Sequence, residues 1–562
     1  MINTSIQTGT DAYHIEAYTP LRNSSLWTLQ QNYFKTKGVT AWQGEVPFYI
    51  SSNAFIATRY AQLVLDAIKD ILTIHPELKA ETFYIIELGA GLGKFSFYFL
   101  KAFFSLQDLK DPISICYIMT DVAEKNKTFW KENPYFQSLV NKGCLDFAIL
   151  DVASDIKNTK FVFLEERNIT LSELELKTPL MIIANYVFDC IQQDAFQIQN
   201  QEVNEIQFKI KSRYKNYNQS KSEHLRELQF EFLNQLNVAP YSDSILNTIL
   251  QEYKIELLEN SFFTMPLGAI AFLKHIASLT NNNYFLIVGD KGIAKSERWS
   301  GFKQKDLFSY DGCYAFMVNF DALGRYVKAT GGDCLLTNNT NSFKICLYSS
   351  QYHFSNLPRV SGSFLHDMER FGADEFCSLN EAVQPHCYGL SLKALIAHLR
   401  LSCWDVEVYL DIHDRLIELV SNVSVSLSSD IVRDMQCVED NIYYYPGMVN
   451  LYNQLGMFYQ TIGQAEKAIT LYKKALLIWG ETMEPYHNLG MIYDAIGDRD
   501  LAISHYQKSL ALNTSKTDDS YARHRLNVLS GRPFTDILKI LARILFVCCL
   551  TAVVLYYLIF VL

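Results

Sequence analysis

The fold is decided by one stretch, which reads Phe83-Tyr84-Ile85-Ile86-Glu87-Leu88-Gly89-Ala90-Gly91-Leu92-Gly93-Lys94. Its apolar start predicts a buried strand. The three alternating glycines predict a tight loop where backbone turns with positive φ or approaches a ligand closely. From Lys94 onward, aromatic residues recur on more than one face, which predicts a buried helix. The stretch is therefore a strand, a glycine loop and a helix in succession.

The spacing of the glycines separates two kinds of cofactor. A dinucleotide fingerprint needs the pattern G-x-G-x-x-G, but its third glycine position is occupied by Lys94, and glycine falls one residue earlier at Gly93. Glu87, two residues before the turn, suits a positively charged or hydroxyl-bearing ligand better than a pyrophosphate. We therefore predict that Glu87, Gly89, Gly91 and Gly93 bind S-adenosylmethionine. A nicotinamide oxidoreductase is disfavoured, and a purely structural turn is the simpler alternative.

Four more apolar runs predict strands of the same doubly wound, mostly parallel sheet. Each run ends in a polar residue, and ligands of such sheets bind at the carboxyl ends of the strands. We predict that Asp121 accepts hydrogen bonds from ribose hydroxyls, with a helix cap as the alternative, and that Asp151 accepts from an adenine amino group. The runs and the residues that follow them are 113–119 with Asp121, 145–150 with Asp151, 180–184 with Asn185, and 284–289 with Asp290.

Four segments carry motifs in a fixed order: Pro47-Phe48-Tyr49-Ile50-Ser51-Ser52, the loop at 87–93, Ala184-Asn185-Tyr186-Val187-Phe188-Asp189, and Gly289-Asp290-Lys291-Gly292 followed by Val318-Asn319-Phe320-Asp321-Ala322-Leu323. Together they resemble the MidA-like S-adenosylmethionine-dependent methyltransferases, the group that contains the arginine methyltransferase assisting assembly of respiratory complex I. The resemblance covers roughly residues 40–350. It implies a class I methyltransferase-like fold and a protein nitrogen as methyl acceptor, with arginine among the candidates. Tyr186 stands where the family has a glutamate.

Methyl transfer is an in-line displacement whose rate depends chiefly on positioning. A nitrogen acceptor must also present a lone pair, which an amide oxygen or a carboxylate can orient. Asn185 and Asp189 are our candidates for this catalytic role. The structural alternatives are a turn residue for Asn185 and a helix cap for Asp189.

A second pattern occupies residues 448–515. Tyr452, Leu455, Gly456, Tyr459, Ala468 and Tyr472 recur as Tyr486, Leu489, Gly490, Tyr493, Ala502 and Tyr506. Every offset is 34 residues, which is the tetratricopeptide period. The pattern predicts two pairs of helices, flanked by helices near 427–443 and 516–529, that bind a protein partner or substrate. A packing module that braces the enzyme domain is the alternative.

The chain ends in an uncharged apolar run over residues 544–562, preceded by basic residues. A helix of this length would span roughly 28 Å, close to the thickness of a bilayer core. We therefore predict a transmembrane tail anchor that contacts the membrane, with the N-terminal bulk cytoplasmic because the basic side stays there.

Composition limits the remaining choices. The net charge of −10 and the low isoelectric point argue against a nucleic-acid partner. The cysteines have neither metal-like nor paired spacing, so we expect no metal site.

The predicted domains are an N-terminal extension (1–40), a methyltransferase-like α/β domain (41–350), a linker or helical region (351–440), an all-α repeat region (441–530) and the anchor. The predicted function is a membrane-anchored methyltransferase that acts on a protein nitrogen. The alternative is a catalytically inactive, membrane-anchored repeat adaptor on the same fold.

Overall fold

The computed structural model of the chain describes residues 13–42, 49–153, 163–218, 221–235, 241–310, 313–338, 343–421, 425–513, 520–530, 542–547 and 551. The chain divides into two compact units. The first comprises Met1–Ala382 together with Tyr443–Gly447, and the second comprises Val383–Ile442 and Met448–Leu562.

The strands of the described residues are β1 Tyr13–Pro20, β2 Phe83–Leu88, β3 Ile115–Asp121, β4 Leu145–Ile149, β5 Phe163–Leu164, β6 Ile169–Thr170, β7 Leu180–Asn185, β8 Asp194–Gln199, β9 Glu202–Ser212, β10 Leu228–Gln235, β11 Phe262–Met265, β12 Tyr284–Ile293, β13 Phe308–Tyr310, β14 Tyr314–Phe316, β15 Val318–Asn319, β16 Asp333–Leu336 and β17 Phe343–Ser349. The α-helices are α1 Leu26–Lys37, α2 Tyr49–Ser52, α3 Ala54–Ile74, α4 Lys94–Leu106, α5 Glu124–Lys131, α6 Pro134–Asn141, α7 Ser222–Arg226, α8 Ser244–Glu256, α9 Leu267–Leu279, α10 Phe320–Ala329, α11 Pro358–Ser363, α12 Ala373–Val383, α13 Leu392–Leu401, α14 Val406–Val420, α15 Val425–Asp440, α16 Leu451–Thr461, α17 Ala465–Trp479, α18 Met483–Ala495, α19 Arg499–Leu512 and α20 Ser520–Leu529.

The central sheet of the first unit has the order β16-β17-β12-β7-β2-β3-β4, with β15 paired to β12. The five strands from β12 to β4 are mutually parallel, whereas β17 runs antiparallel to both of its neighbours. The predicted doubly wound, mostly parallel sheet is therefore confirmed. The strands are apolar runs because both faces of the sheet are covered, as at β3, where every residue is buried.

The order in which the chain visits these strands locates a crevice. From β2 the chain moves outward to β3 and β4, then returns to β7 on the other side of β2 and continues to β12. The strand order thus reverses between β2 and β7. In open α/β sheets, ligands bind at such a reversal, outside the carboxyl ends of the two strands. Glu87 near the end of β2 and Asn185 at the end of β7 are placed at this point.

A second sheet of the first unit was not anticipated from the sequence. It is antiparallel, with the order β1-β9-β8-β11 and with β10 paired to β9. Its strands β9 and β10 carry a cross-strand ion pair between Lys209 and Glu231, which face each other in the register.

The repeat helices of the second unit form as the 34-residue period predicts. Helix α16 pairs with α17, and α18 pairs with α19, while α15 and α20 flank them. Small residues are required where the paired helices meet. A Cβ atom on Gly456 would lie 2.4 Å from the Tyr472 ring, and one on Gly490 would lie 2.7 Å from the Tyr506 ring.

We expect Gly456→Ala to destabilise the second unit. Because the added methyl group would overlap the buried Tyr472 ring, we predict a loss of about 1–3 kcal/mol. The measurement is thermal unfolding of the full chain. Gly389→Ala is the matched control, since a Cβ at Gly389 meets nothing within 4 Å. Equal unfolding temperatures for the two variants would contradict the packing described.

The predicted membrane anchor requires correction. Among the described residues, no helix is both long enough and apolar enough to cross a membrane. The helical segment described at 542–547 overlaps the predicted span only at residues 544–547, whereas a spanning helix needs about 20 residues. Residues 548–550 and 552–562 lie outside the described residues. The predictions of a transmembrane helix over 544–562 and of a single-pass, tail-anchored localisation are therefore wrong on the described residues.

Candidate active site

A cleft opens at the point where the strand order reverses. It is a shallow cleft that opens to solvent. Its walls come from the end of α2, the end of β2, the glycine loop, the start of α4 and the end of β7. The lining residues are Ser51, Ser52, Glu87, Gly89, Ala90, Gly91, Leu92, Lys94, Phe95, Asn185 and Tyr186. Of the predicted site residues, Glu87, Gly89, Gly91 and Asn185 thus meet at one cleft.

The glycine loop adopts the backbone that its sequence predicts. Gly89, Gly91 and Gly93 have φ angles of 64°, 54° and 77°, a region that side chains with a Cβ rarely enter. Gly93 is also closely packed, since a Cβ there would lie 2.9 Å from both the Met119 methyl group and the Tyr443 hydroxyl. Gly93 therefore allows the close packing of side chains against the loop, whereas Gly89 and Gly91 line the cleft.

Three side chains hold the loop in place. The backbone N–H of Gly91 donates to Asp121 Oδ2 at 2.9 Å, and Trp130 Nε1 donates to the carbonyl oxygen of Gly91 at 2.9 Å. The Tyr443 hydroxyl donates to the carbonyl oxygen of Leu92 at 2.6 Å. Because these contacts fix the loop before any ligand arrives, binding loses less conformational entropy.

Glu87 is a buried acid on the cleft wall. Its Oε2 accepts hydrogen bonds from the Ser96 hydroxyl and, at 2.9 Å, from the Tyr117 hydroxyl. Burial raises the pKa of Glu87 from an ordinary 4.5 to about 7, against the lowering effect of these two hydroxyls. Around neutral pH the carboxyl can therefore accept from a ligand as carboxylate or donate to it as carboxylic acid.

We expect Glu87→Gln to change how stability depends on pH. When the pKa of a carboxyl group is higher in the folded than in the unfolded chain, that group stabilises the folded state. The stabilisation is complete at pH values below the unfolded-state pKa, and it is lost as the pH rises through the folded-state pKa. With a rise from 4.5 to about 7, the wild type should lose up to about 3 kcal/mol relative to the variant between these pH values. The measurement is chemical unfolding from pH 4.5 to 7.5. Parallel stability curves for the two proteins would disprove the assignment.

The carboxylates of Asp121 and Asp151 both accept hydrogen bonds from groups of the chain itself. Besides Gly91, Asp121 accepts from the backbone N–H of Ala123 at 2.9 Å. Asp151 accepts from Gln31 and, at 3.0 Å, from Lys35 Nζ. Neither carboxylate lines the cleft. In the structure Asp121 orders the glycine loop, and its contact with ribose, like that of Asp151 with adenine, stays a prediction.

Asn185 presents an unsatisfied polar atom at the cleft. Its Oδ1 accepts from the Tyr60 hydroxyl at 2.9 Å, while its buried Nδ2 has no hydrogen-bond partner. Gly289, the partner of Asn185 in the register of β7 and β12, leaves room for this pair. A Cβ on Gly289 would lie 2.6 Å from Asn185 Oδ1 and equally close to the Tyr60 hydroxyl. An uncompensated buried amide costs stability, and the catalytic role of Asn185 stays a prediction.

Asp189 is not among the residues that line the cleft. It is buried, and its Oδ1 has no hydrogen-bond partner. The backbone N–H groups of Phe188 and Asp189 donate to Asp290 Oδ2 at 2.9 and 3.1 Å, which brings the two acids together. Burial raises the pKa of Asp189 to about 6 and raises the pKa of Asp290 well above its ordinary value. The catalytic role predicted for Asp189 therefore stays a prediction.

Two segments of the chain match models of known families. Residues 69–301 match a family described as "Putative S-adenosyl-L-methionine-dependent methyltransferase", and residues 447–515 match the tetratricopeptide repeat. The predicted repeat is confirmed, and the prediction of S-adenosylmethionine as cofactor is confirmed at the level of the family model. None of the curated proteins compared with the chain matches it.

Solved structures of low similarity include two methyltransferase-related proteins. A protein from Burkholderia thailandensis with bound S-adenosyl-homocysteine is 13% identical, with a TM-score of 0.36, over 59% of this chain and 88% of that chain. Magnesium protoporphyrin IX methyltransferase from Synechocystis PCC 6803, with bound S-adenosylmethionine, is 10% identical, with a TM-score of 0.24, over 57% of this chain and 96% of that chain.

Proposed function

We propose that the chain binds S-adenosylmethionine in this cleft and transfers the methyl group to a nitrogen atom of a protein. The observation that carries the proposal is the meeting of Glu87, the glycine loop and the unsatisfied amide of Asn185 at the reversal of strand order. The family match over residues 69–301 supports the same cofactor.

The residues of the cleft fit this cofactor. The bare backbone at Gly89 and Gly91 lets a ligand approach closely, and Glu87 can bind a hydroxyl or ammonium group. When bound, S-adenosylmethionine supplies a methyl group activated by a sulfonium. The chain itself contributes positioning, which accounts for much of the rate in such displacements.

Asn185 is the residue best placed to orient an acceptor nitrogen. The hydroxyl of Tyr60 can donate or accept a hydrogen bond. It can therefore bind either end of the Asn185 amide, and the amide can turn its oxygen or its nitrogen toward a ligand. With the oxygen toward the cleft, the amide accepts an N–H of the acceptor and aims the nitrogen lone pair at the methyl group.

Two observations support a protein acceptor. The repeat helices belong to a class that binds peptide segments in concave surfaces. At the cleft, Tyr186 has a φ of 53° and its ring centroid lies 5.3 Å from that of Phe343. Aromatic faces attract cations such as a guanidinium or an ammonium group. Arginine therefore stays a candidate although Tyr186 replaces the glutamate of the MidA-like proteins.

The second candidate function is that of an adaptor protein that no longer catalyses methyl transfer. It is favoured by Tyr186 in place of the family's glutamate and by Asp121, whose two carboxylate oxygens accept from backbone N–H groups of the chain itself. Such a protein would bind partners through its repeats without methylating them.

A transfer assay separates the two functions. The full chain is incubated with S-adenosylmethionine labelled in the methyl group and with proteins of a cell extract, and alkali-stable label on protein is measured. The enzyme predicts stable label with the wild type and none above background with Gly91→Arg. Cofactor binding without transfer to any protein would favour the adaptor and contradict the enzyme.

A further inference from the structure

Two cysteine side chains meet beside the turn that follows β7. The Sγ atoms of Cys190 and Cys313 lie 3.9 Å apart, although the two residues are 123 positions apart along the chain. Both are free thiols, and Cys190 is partly exposed whereas Cys313 is buried. The sulfur atoms of a disulfide lie about 2.05 Å apart, so these two atoms would need to approach each other by about 2 Å to form one.

Cys190 lies on the turn that connects to the cleft residues of β7. Asn185 is the last residue of β7, Tyr186 follows it with a φ of 53°, and the short turn Phe188–Cys190 comes next. Asn185 and Tyr186 both line the cleft. Because so few residues separate Cys190 from them, a displacement of Cys190 would also shift the backbone that positions these two side chains.

Cys313 is held more firmly than Cys190. It lies directly before β14, which pairs with β13. The next residue, Tyr314, donates its backbone N–H to Gln30 Oε1 and its hydroxyl to the carbonyl oxygen of Leu225. Since β14 is fixed through both its backbone and a side chain, we expect the turn that carries Cys190 to supply most of the movement that brings the sulfurs together.

We propose that hydrogen peroxide oxidises Cys190 and Cys313 to a disulfide, and that this bond slows methyl transfer by displacing the turn after β7. The effect on transfer rests on the proposed function. The bond itself does not, since it depends only on the two thiols and the oxidant.

The oxidation proceeds in two steps. The partly exposed Cys190 Sγ loses its proton and attacks one oxygen of the peroxide, the O–O bond breaks, and the other oxygen leaves as water with that proton. The Sγ of Cys313 then attacks the sulfenic sulfur of Cys190, the S–O bond breaks, and a second water leaves with the thiol proton of Cys313. The two thiols thus lose two electrons and two protons, and the peroxide is reduced to two waters.

The position of the two thiols also indicates how the pair would respond. The contact with Cys313 and the limited access of water hold the pKa of Cys190 well above its ordinary value. Because the thiolate is the reactive form, the first step should be slow at neutral pH. Once it has occurred, the nearby Cys313 can capture the sulfenic acid before further oxidation. The pair should therefore respond to sustained and not to brief exposure to peroxide.

The first test asks whether the bond forms. The full chain is exposed to hydrogen peroxide, and its peptides are analysed by mass spectrometry without reduction. We expect a peptide that joins Cys190 to Cys313, two hydrogens lighter than the separate peptides together and lost after treatment with a thiol reductant. Absence of this peptide from the folded, oxidised chain would overturn the inference, whether or not the chain transfers methyl groups.

The second test measures transfer before and after oxidation. The wild type should lose rate by about 10- to 100-fold, since a displacement of about 1 Å in a positioning group has effects of this size. A thiol reductant should restore the rate, and Cys190→Ser and Cys313→Ser should keep theirs under peroxide. Cys144→Ser is the matched control, because Cys144 is also partly exposed and belongs to the same unit. It should lose rate as the wild type does.

The outcomes of the two tests separate the inference from the proposed function. A disulfide between Cys190 and Cys313 that leaves the transfer rate unchanged would overturn the inference and leave the proposed function intact. Absence of transfer by the reduced wild type would overturn the proposed function, and with it the effect of the disulfide on transfer.

Discussion

Gly91→Arg is expected to lower the affinity for S-adenosylmethionine by about 100-fold or more, equivalent to about 3 kcal/mol. Gly91 lines the cleft and has a φ of 54°. An arginine there would have to adopt a backbone conformation that only glycine enters easily, and its side chain would fill the space proposed for the ligand. In the wild type, the backbone N–H of Gly91 is hydrogen-bonded to Asp121, and its carbonyl oxygen is hydrogen-bonded to Trp130. The measurement is a calorimetric titration of the folded full-length variant.

Gly143→Arg is the matched control for this experiment. Gly143 also has a positive φ, 71°, so arginine there meets the same kind of backbone strain. A Cβ at Gly143 meets nothing within 4 Å, and the residue lies outside the cleft lining. We expect the control to bind the cofactor as the wild type does. Equal loss of affinity in both variants would show that strain, and not the cleft, caused the effect.

Asn185→Ala is expected to lower the rate of methyl transfer by about 100-fold, the scale of a positioned group that orients a reacting nitrogen. The variant removes the amide whose Nδ2 has no partner and whose Oδ1 accepts from Tyr60. Affinity for the cofactor should change less than the rate. The measurement is single-turnover transfer to the acceptor identified by the labelling assay.

Two further variants test the same geometry without removing Asn185. Gly289→Ala would place a methyl group 2.6 Å from both Asn185 Oδ1 and the Tyr60 hydroxyl, so it should also slow transfer. Gly362→Ala is its control, since a Cβ there meets nothing within 4 Å. A normal rate in Gly289→Ala, or a rate in Asn185→Ala equal to that of the wild type, would remove Asn185 from the proposed chemistry.

Local sequence patterns predicted the strands of the central sheet, the glycine loop and the repeat helices. The apolar runs at 83–88, 180–184 and 284–289 indicated β2, β7 and β12 because strands buried on both faces must be apolar along their length. The glycine spacing predicted the loop. The 34-residue period predicted α16 to α19, since each repeat must bury the same face against its neighbour.

The features that the sequence does not predict depend on contacts between residues that lie far apart along the chain. Tyr443 is 351 positions from Leu92, and Tyr60 is 125 positions from Asn185. No short sequence pattern predicts either hydrogen bond. In the sequence Lys94 only breaks the dinucleotide fingerprint, whereas its burial beside two rings depends on Tyr445 from a distant part of the chain. Gly289 gains its role from the register of β7 and β12.

The error at the C-terminus has a different cause. A run of uncharged apolar residues satisfies the hydropathy condition for a membrane span, but hydropathy alone does not establish a continuous helix of sufficient length. In the part of the chain that the structure describes, no helix meets both conditions.

The most direct test of the cleft as a methyl-donor site is a calorimetric titration of the wild-type full chain with S-adenosyl-homocysteine, the product of the proposed transfer. We expect saturable binding at one site per chain, abolished in Gly91→Arg and retained in Gly143→Arg. Absence of binding by the folded wild-type chain would contradict the assignment of the cleft as a methyl-donor site.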